Sequence, residues 1–288
     1  MQSAMAAAGV CLLPSLLWGE HDGFAEAIAR LERESGGRLG VCFFNGRSGR
    51  THGYRQSERF PMCSTFKVLA SAALLHRVDQ GEEDLSRVVR FSKREIIAHS
   101  PITKHHAGSD GMTLGELCEA AVTVSDNTAA NLILKTYGGP DGFTAYARSL
   151  HDNVTVLNRM EPELNDAVPG DTRDTTSSEA MLEDLRVLLL GDALQEKSRR
   201  QLTRWMENCQ TGAERIRAGL PPTWRVADKT GTGALNTAND IAVFWDGSGK
   251  ASALTVYLTG ATVDNAGRNA ILARVAAAAA AVLGVVAS

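Results

Sequence analysis

The stretch CSTFK at residues 63–67 opens a mostly apolar run that continues to Asp79. Apolar residues fall on most faces of a helix drawn over this run, which predicts a helix buried in the middle of the fold. Ser64 and Lys67 are three residues apart at its start, so one helical turn brings the lysine amine to the serine hydroxyl. A serine needs an adjacent base to become a nucleophile, and a desolvated lysine can lose its proton and serve as that base. The plainer alternative is a coincidental pair of exposed side chains.

Two further short motifs lie downstream. The SDN motif at residues 125–127 falls where one helical pattern ends and another starts, so by itself it predicts a helix N-cap. The KTGTG motif at residues 229–233 falls within a predicted strand, where two glycines without side chains indicate a close approach to the backbone. An ordinary edge strand is the alternative for this second motif.

A long segment without helical or strand periodicity runs from Arg159 to Thr176, and its length predicts a functional loop. It contains EPELN at residues 161–165. A carboxylate held over a covalent ester can activate the water that hydrolyses it, which separates a hydrolase from a protein that stays acylated. Glu161 and Glu163 are the carboxylates of this motif, and an acidic turn on the surface is the plainer alternative, which fits Glu163 better.

Composition limits the classes of partner. The 288-residue chain has 44% hydrophobic and 22% charged residues, the balance of an ordinary soluble globular protein. Its formal net charge is −3, with acidic and basic residues interspersed, which argues against nucleic acid or an anionic membrane surface as a partner. His105 and His106 lack a third ligand at metal spacing, so neither a metal site nor a zinc hydrolase is predicted.

The first residues have the composition of a secretory signal. Residues 4–18 are almost uncharged, rich in Ala and Leu, and too short to span a bilayer. They predict a signal peptide over residues 1–20, although residues 1–3 carry no Lys or Arg side chain. The mature protein is then expected to be secreted into the periplasm without a membrane anchor.

The order of predicted elements indicates an α/β protein of the α+β type. Strand patterns lie near both ends of the chain and helical patterns fill the middle, which fits an antiparallel sheet subdomain (residues 21–60 and 215–288) with an inserted all-helical subdomain (residues 61–214). Residues 21–288 are therefore expected to form one domain. Helices are predicted over residues 22–35, 65–79, 114–124, 128–137, 178–190 and 196–209 and from residue 265, and strands over residues 39–44, 224–230, 241–245 and 253–258.

In their order along the chain, the four motifs resemble those of the class A serine β-lactamases, over nearly the whole chain from about Asp22. The resemblance implies a β-lactamase/transpeptidase-like fold, no cofactor, a monomer, and a small-molecule β-lactam as substrate. It implies that Ser64 attacks the lactam carbonyl and that Ser125 and Lys67 carry a proton to the leaving nitrogen. Glu161 would activate the deacylating water. Whether Lys67 or Glu161 is the base for acylation stays open.

The resemblance also implies how the loop works. The peptide bond between Glu161 and Pro162 is expected to be cis, which turns the Glu161 side chain into the site. Asn165 would hold the hydrolytic water together with Glu161. Arg159 and Asp174 are expected to pair across the neck of the loop, although surface pairs of this kind contribute only about 0–1 kcal/mol.

Substrate-binding roles follow from the same resemblance. Asn127 is expected to bond the amide of the substrate side chain. Lys229 adds positive charge, and Thr230 and Thr232 offer hydroxyls to the substrate carboxylate. The backbone amides of Ser64 and Thr232 would form the oxyanion hole, where such donors contribute several kcal/mol.

The chain departs from the family pattern at the carboxylate anchor. Several relatives carry an arginine on the strand after K-T-G, where this chain reads Thr237-Ala238-Asn239. Arg215 lies where other relatives carry a substitute, with Arg217 or Lys229 as the alternative anchor. His99 occupies a position at the mouth of the site that is often aromatic in relatives, and a gate and an exposed loop histidine are equally open readings.

The cysteines also depart from the family. Cys118 and Cys63 each resemble one half of a family disulfide, but the partner positions hold Ser71 and Gly233. Both bridges are therefore predicted to be absent. Cys11 would leave with the signal peptide, and the expected free thiols are Cys42, Cys63, Cys118 and Cys209.

The predicted function is hydrolysis of penicillins and cephalosporins through a serine acyl-enzyme, which confers resistance to these antibiotics. Two alternatives share the first motifs: a penicillin-binding D,D-peptidase, and a sensor domain that keeps a β-lactam as a long-lived acyl adduct. Both lack a deacylating glutamate in an E-x-x-L-N loop, and the sensor would also need a membrane segment.

Overall fold

The computed structural model describes residues 21–285. The predicted signal peptide, residues 1–20, and Cys11 within it lie outside the described residues. The helices are α1 (His21–Ser35), α2 (Phe66–Asp79), α3 (Leu114–Thr123), α4 (Asn127–Lys135), α5 (Gly139–Ser149), α6 (Ser178–Leu189), α7 (Glu196–Glu207), α8 (Ile216–Gly219) and α9 (Asn265–Val282). The strands are β1 (Arg38–Asn45), β2 (Arg50–Tyr54), β3 (Arg59–Pro61), β4 (Val88–Val89), β5 (Met112–Thr113), β6 (Thr175–Ser177), β7 (Arg225–Gly233), β8 (Thr237–Trp245) and β9 (Ala251–Thr259).

Strands from the two ends of the described chain form one antiparallel sheet in the order β2-β1-β9-β8-β7. Strands β1 and β9 pair directly, with Val41 opposite Val256, so the first and last strands meet inside the sheet. Strand β7 lies at one edge, beside β8. The α+β fold class expected from the order of the elements is confirmed.

Helices cover both faces of this sheet. On one face, α1 and α9 bury an apolar cluster that includes Phe24, Ile28 and Leu272. On the other face, α6 packs on β1 and β9, and α2 lies among the helices beyond it. Every residue of α2 from Phe66 to Leu75 is buried, as the apolar pattern predicted. A helix buried on all sides carries its polar residues, Lys67 and Ser71, into the interior.

The sequence analysis missed seven elements, α5, α8 and β2 to β6, of which α5 and β2 are the longest helix and strand. Helix α5 begins with Gly139-Pro140-Asp141-Gly142, residues that are typical of turns, yet proline suits the first helical turn because its missing N–H would have no partner there. Strand β2 is an edge strand whose residues are mostly exposed or half-buried, so it has no apolar alternation. It is held by its ladder with β1.

The helix predicted from residue 265 is α9, and its second half is the Ala-rich stretch up to Val282, with Val275 and Ala279 buried. Within residues 21–285, no helix is long and apolar enough to cross a membrane.

The loop predicted over residues 159–176 ends at Asp174, where β6 follows, and this segment of residues 159–174, here called the neck loop, is closed by an ion pair. Arg159 Nε donates to Asp174 Oδ2 at 2.6 Å, and the Asp174 carboxylate is buried. Its Oδ1 accepts the backbone N–H groups of Asn158 and Arg159 at 2.7 and 2.9 Å. Because each oxygen of this buried carboxylate has a donor, the pair expected from the family resemblance joins the two ends of the loop.

Candidate active site

Ser64 lies in a short 3₁₀ turn, Cys63–Thr65, directly ahead of α2. Thr65 Oγ1 donates to the carbonyl of Met62 at 2.8 Å, and the N–H of Met62 donates to the carbonyl of Asp174 at 3.0 Å. The turn also packs against β7. These contacts place Ser64 where α2, the neck loop and β7 meet.

Strand β7 approaches the Ser64 turn closely because Gly231 has no side chain. A Cβ built on Gly231 would lie 2.8 Å from the carbonyl oxygen of Met62 and 3.2 Å from Cβ of Cys63. The sequence predicted a close approach to this backbone, and the protein's own turn makes it. A larger residue here would push Ser64 away from β7.

Lys67 is fully buried and surrounded by acceptors. Its Nζ lies 2.8 Å from the carbonyl oxygen of Ser125, 2.6 Å from Asn127 Oδ1 and 3.1 Å from Glu161 Oε1. Burial lowers the pKa of Lys67, and the negative charge of Glu161 opposes this shift. The amine therefore gives up a proton more readily than a solvated lysine does.

The hydroxyl of Ser64 points to Glu161 rather than to Lys67. Ser64 Oγ lies 3.5 Å from Glu161 Oε1, at the long limit of a hydrogen bond. The spacing of the motif predicted that the Lys67 amine would meet the Ser64 hydroxyl; in the described part of the chain the amine instead bonds Ser125, Asn127 and Glu161. That expectation was wrong in detail, because these acceptors come from segments distant in sequence.

Glu161 is held from both its backbone and its carboxylate. The peptide bond to Pro162 is cis, as the family resemblance implied. Asn131, on α4, accepts from the Glu161 N–H at 3.0 Å and donates to its carbonyl at 2.9 Å. Asn165 Nδ2 donates to Glu161 Oε2, while Asn165 Oδ1 is buried without a hydrogen-bond partner among the described residues. One carboxylate oxygen thus faces Ser64 and the other faces Asn165.

Ser125 joins the two buried lysines. Its Oγ accepts from Lys229 Nζ at 3.0 Å and from Lys67 Nζ at 3.3 Å. Burial is the main reason that the pKa of Lys229 is lowered to about 8, and the nearby charge of Lys67 adds to it. A hydroxyl between two such amines can pass a proton in either direction.

The turn that presents Ser125 is fixed by its neighbour. Ser125 has a positive φ of 60°, and Asp126 is the N-cap of α4, accepting from the N–H of Ala129 at 2.9 Å. The same carboxylate accepts from Thr103 Oγ1 at 2.8 Å. The N-cap that the sequence predicted for this motif is confirmed, and it sets the direction of the serine.

Arg215 is buried beside β7. Its Nη2 donates to Thr232 Oγ1 at 2.8 Å, and its Nη1 donates to the carbonyls of Gly231 and Asn239 at 2.9 and 2.7 Å. Its Nε donates to Asn269 Oδ1 at 3.0 Å. The guanidinium therefore adds its charge next to the threonine that was expected to meet the substrate carboxylate.

Arg217, the alternative anchor, has other partners. It pairs with the buried Asp228 carboxylate and donates to the carbonyls of Met206 and Glu207. Arg217 therefore links the end of α7 to strand β7. Arg215 is the arginine that lies beside Thr232.

His99 is exposed, with its Nε2 atom 3.2 Å from the carbonyl oxygen of Val124. Its backbone carbonyl accepts from the N–H of Asn127 at 3.0 Å, which ties this loop to the SDN motif. This contact occupies one ring nitrogen of an otherwise exposed imidazole.

The four cysteines of the described residues are free and buried: Cys42, Cys63, Cys118 and Cys209. The prediction of two missing bridges is confirmed for this part of the chain. The thiol of Cys63 faces Gly233, where an added Cβ would lie 2.6 Å from its Sγ. Burial raises the pKa of Cys63 and of Cys118 to about 12, so both thiols stay protonated.

Two residues at the site were missed. Asn131 lies four residues after Asn127, on the same face of α4, and that spacing of polar residues in an apolar helix is a usable signal. Thr211 Oγ1 lies 2.5 Å from Thr230 Oγ1, and it comes from a loop with no motif that would have indicated it.

A serine ahead of a buried helix, two lysines around a second serine, and a buried glutamate on a loop define a penicillin-recognising serine hydrolase. The glutamate next to the nucleophile indicates the branch of this class that hydrolyses its own acyl-enzyme.

Comparisons with known proteins agree with this class. The family model described as Beta-lactamase enzyme family matches residues 23–283. Beta-lactamase OXY-1 of Klebsiella oxytoca is 46% identical over 94% of this chain and 94% of its own, and Beta-lactamase CTX-M-8 of Citrobacter amalonaticus is 46% identical over 85% and 86%. The structure of an ancestral class A β-lactamase is 54% identical, superposes with a TM-score of 0.88 and covers 90% of this chain and 99% of its own. The chain belongs to the class A serine β-lactamases, hydrolases of the β-lactam ring that give antibiotic resistance.

Proposed function

We propose that this enzyme hydrolyses penicillins and cephalosporins in two steps, with Ser64 as the nucleophile. Ser64 Oγ attacks the lactam carbonyl carbon, the ring C–N bond breaks, and the ring nitrogen takes up a proton. Water then attacks the resulting ester and releases Ser64. The observation that carries this proposal is the contact of Glu161 with both Ser64 and Lys67. One buried carboxylate thus lies next to the nucleophile and next to the lysine that exchanges protons with it.

The acylation proton has a continuous route. Ser64 loses it toward the Lys67–Glu161 pair, in which either partner can take it up. Lys67 Nζ lies 3.3 Å from Ser125 Oγ, so Ser125 can deliver a proton to the ring nitrogen and regain one from the lysine. The lowered pKa of Lys67 favours that exchange.

Deacylation uses the other side of the glutamate. A water that donates one hydrogen to the free Oδ1 of Asn165 can donate the other to the Glu161 carboxylate. Glu161 then removes the proton as the water attacks the acyl ester. Asn131 is a positioning residue, since it holds the Glu161 backbone in this orientation.

Substrate recognition is proposed for the residues that surround this centre. Lys229, Thr230 and Thr232 meet the substrate carboxylate, with Arg215 supplying charge beside Thr232. The backbone amides of Ser64 and Thr232 form the oxyanion hole. The remaining contacts are with Asn127, at the substrate side chain, and with His99, at the mouth of the site.

Steady turnover of a chromogenic cephalosporin tests the proposal. Wild-type protein should hydrolyse it over many cycles, and Ser64→Ala should lose at least about a thousandfold in kcat, as expected for removal of a nucleophile. A D,D-peptidase or a sensor would stop after one equivalent is bound. That outcome would favour one of these two alternatives, although the comparisons with known proteins do not support either of them.

We propose further that residues 21–288 act as one monomeric domain in the periplasm after residues 1–20 direct export. The support is the composition of residues 4–18 and the pairing of β1 with β9. Cell fractionation of the expressed chain, with the N-terminus of the periplasmic product sequenced, tests export. Light scattering of that product tests the monomer.

A further inference from the structure

The loop that joins α7 to α8, residues 208–215, lies directly against strand β7. A Cβ built on Gly212 would lie 2.7 Å from the carboxyl carbon of Asp228, so a side chain here would displace a buried carboxylate. The N–H of Gln210 donates to a backbone carbonyl at the end of α3 at 2.9 Å. Thr211 lies between these two anchored residues, so its position beside β7 is fixed by the fold.

The hydroxyl of Thr211 contacts Thr230, one of the threonines proposed to meet the substrate carboxylate. The two Oγ1 atoms are 2.5 Å apart, at the short end of the range for hydroxyl groups. Thr230 is 5% exposed, and Thr211 is the only hydrogen-bond partner of its hydroxyl among residues 21–285. Thr211 itself is exposed, and its Oγ1 also lies 3.3 Å from Cys209 Sγ. A residue outside the four motifs therefore orients the hydroxyl of Thr230.

The hydrogen bond between the two threonines has a direction, because each hydroxyl has one hydrogen. A carboxylate only accepts, so Thr230 can donate to it only when the hydrogen between the threonines comes from Thr211. In the reverse direction Thr230 would donate to Thr211 and have no hydrogen for the substrate. Sulfur is a weak acceptor, so Cys209 competes poorly with the Thr230 oxygen for the hydrogen of Thr211.

The neighbouring threonine shows the same arrangement without ambiguity. Thr232 lies two residues after Thr230 on β7, so the two side chains are on the same face of the strand. Arg215 Nη2 donates to Thr232 Oγ1 at 2.8 Å, and a guanidinium only donates. The hydrogen of the Thr232 hydroxyl is therefore free for the substrate. Both donors, Arg215 and Thr211, come from the loop between α7 and α8.

We propose that Thr211 is a positioning residue for the substrate carboxylate. Its hydroxyl donates to Thr230 Oγ1, which leaves the hydrogen of Thr230 pointing to the carboxylate of the bound β-lactam. A hydroxyl that accepts one hydrogen bond is also a stronger donor in the next, because hydrogen bonds in a chain polarise one another. The inference rests on the proposed function, since it assigns a role in binding the substrate of that reaction.

Kinetics with one cephalosporin test this role. Thr211→Val keeps the shape and removes the hydroxyl, so kcat/KM should fall about threefold to tenfold, as expected for one neutral hydrogen bond. The carboxylate is bound in the ground state and the transition state alike, so the loss should lie in KM rather than in kcat. Thr211→Ser keeps the hydroxyl and should stay within twofold of wild type. Unchanged kcat/KM in Thr211→Val, or a loss confined to kcat, would overturn the proposal.

A double-mutant cycle shows whether Thr211 acts through Thr230. In a Thr230→Val background, Thr211→Val should change kcat/KM by less than twofold, because the hydroxyl that it orients is gone. An equal loss with and without the Thr230 hydroxyl would contradict the role. The matched control is Thr223→Val, at an exposed threonine, which should behave like wild type. Melting temperatures of Thr211→Val and Thr211→Ser should equal that of wild type, and a kinetic loss that follows a lowered melting temperature in both would show a structural role instead.

The rate of acylation by a fluorescent penicillin gives a readout that does not need turnover. The carboxylate is recognised before the ring opens, so the variants should differ in acylation as they differ in kcat/KM. A wild-type protein that is acylated but does not turn over would contradict the proposed hydrolysis, and the acylation rates would still decide the role of Thr211. Equal acylation rates in wild type and Thr211→Val would overturn that role.

Discussion

The ammonium of Lys67 lies 3.1 Å from the Glu161 carboxylate, and both side chains are completely buried. Each charge compensates the other, and removing one partner of such a pair typically costs about 3–5 kcal/mol. The same burial lowers the pKa of Lys67 while the charge of Glu161 opposes the shift, so the lysine gives up a proton more readily than a solvated lysine does. Both steps of a serine hydrolase need such a proton.

Deacylation should fail first when Glu161 is changed. In Glu161→Gln the charge is lost but the shape and the Asn165 contact remain, so acylation of Ser64 continues more readily than hydrolysis of the ester. Mass spectrometry after exposure to a penicillin should show a persistent adduct. The matched control is Glu163→Gln, an exposed residue of the same loop, which should turn over like wild type. No adduct with turnover near wild type would contradict the role of Glu161.

The two arginines after α7 should separate in their effects. A hydrogen bond to a charged group contributes about 1.5–3 kcal/mol, so Arg215→Ala should lower kcat/KM by roughly tenfold to somewhat above a hundredfold. Arg217→Ala leaves the buried Asp228 without its cation, so its main effect should be a lower melting temperature. Kinetics and melting curves of both variants with one cephalosporin check this. A larger loss of kcat/KM in Arg217→Ala would remove Arg215 from the site.

The motifs predicted which residues meet, and packing decided how they meet. Ser64, Ser125, Glu161 and Lys229 come together as the family resemblance implied: three of their motifs begin or end an element, and the fourth lies on the neck loop. The orientation of the Lys67 amine could not be predicted, since its acceptors lie 58 to 94 residues away along the chain. Only the folded chain shows that contact.

The same limit applies outside the motifs. Asn131 and Thr211 have no sequence signal stronger than position on a helix face or in a loop, yet both contact site residues. Asp184 fits the exposed or buried face of an amphipathic helix equally well, and only the fold brings it to Asp152. The local sequence pattern determines the helices and strands, whereas these contacts depend on how the helices and strands pack.

Stability should depend on pH through Asp184. Its pKa in the folded state is raised well above the usual value, first by burial, then by Asp152 and Glu183, with Arg148 opposing. An unfolded aspartate ionises near pH 3.9, so below that pH the group is protonated in both states and its contribution is complete. As pH rises toward the folded pKa, the unfolded chain ionises first and that stability is lost.

Asp184→Asn removes this dependence, because the amide never ionises. Its melting temperature relative to wild type should therefore be higher at pH 8 than at pH 5, with about 2–4 °C for each kcal/mol. Asp110→Asn, an exposed position, should show no such change. Equal differences at the two pH values would mean that Asp184 ionises normally in the folded protein.

Activity should fall at alkaline pH as Lys229 loses its charge. Burial lowers the pKa of Lys229 to about 8, and the neighbouring Lys67 charge contributes. The free enzyme therefore carries the charge below about pH 8 and loses it above, and kcat/KM reports ionisation in the free enzyme. Because the lysine attracts the substrate carboxylate, kcat/KM should fall above pH 8 mainly through KM.

Arginine stays protonated throughout this range, so Lys229→Arg should lower kcat/KM at pH 7 but move the alkaline fall to higher pH. A fall that keeps its midpoint in Lys229→Arg would assign it to another group, with Lys67 the first candidate because its pKa is also lowered by burial.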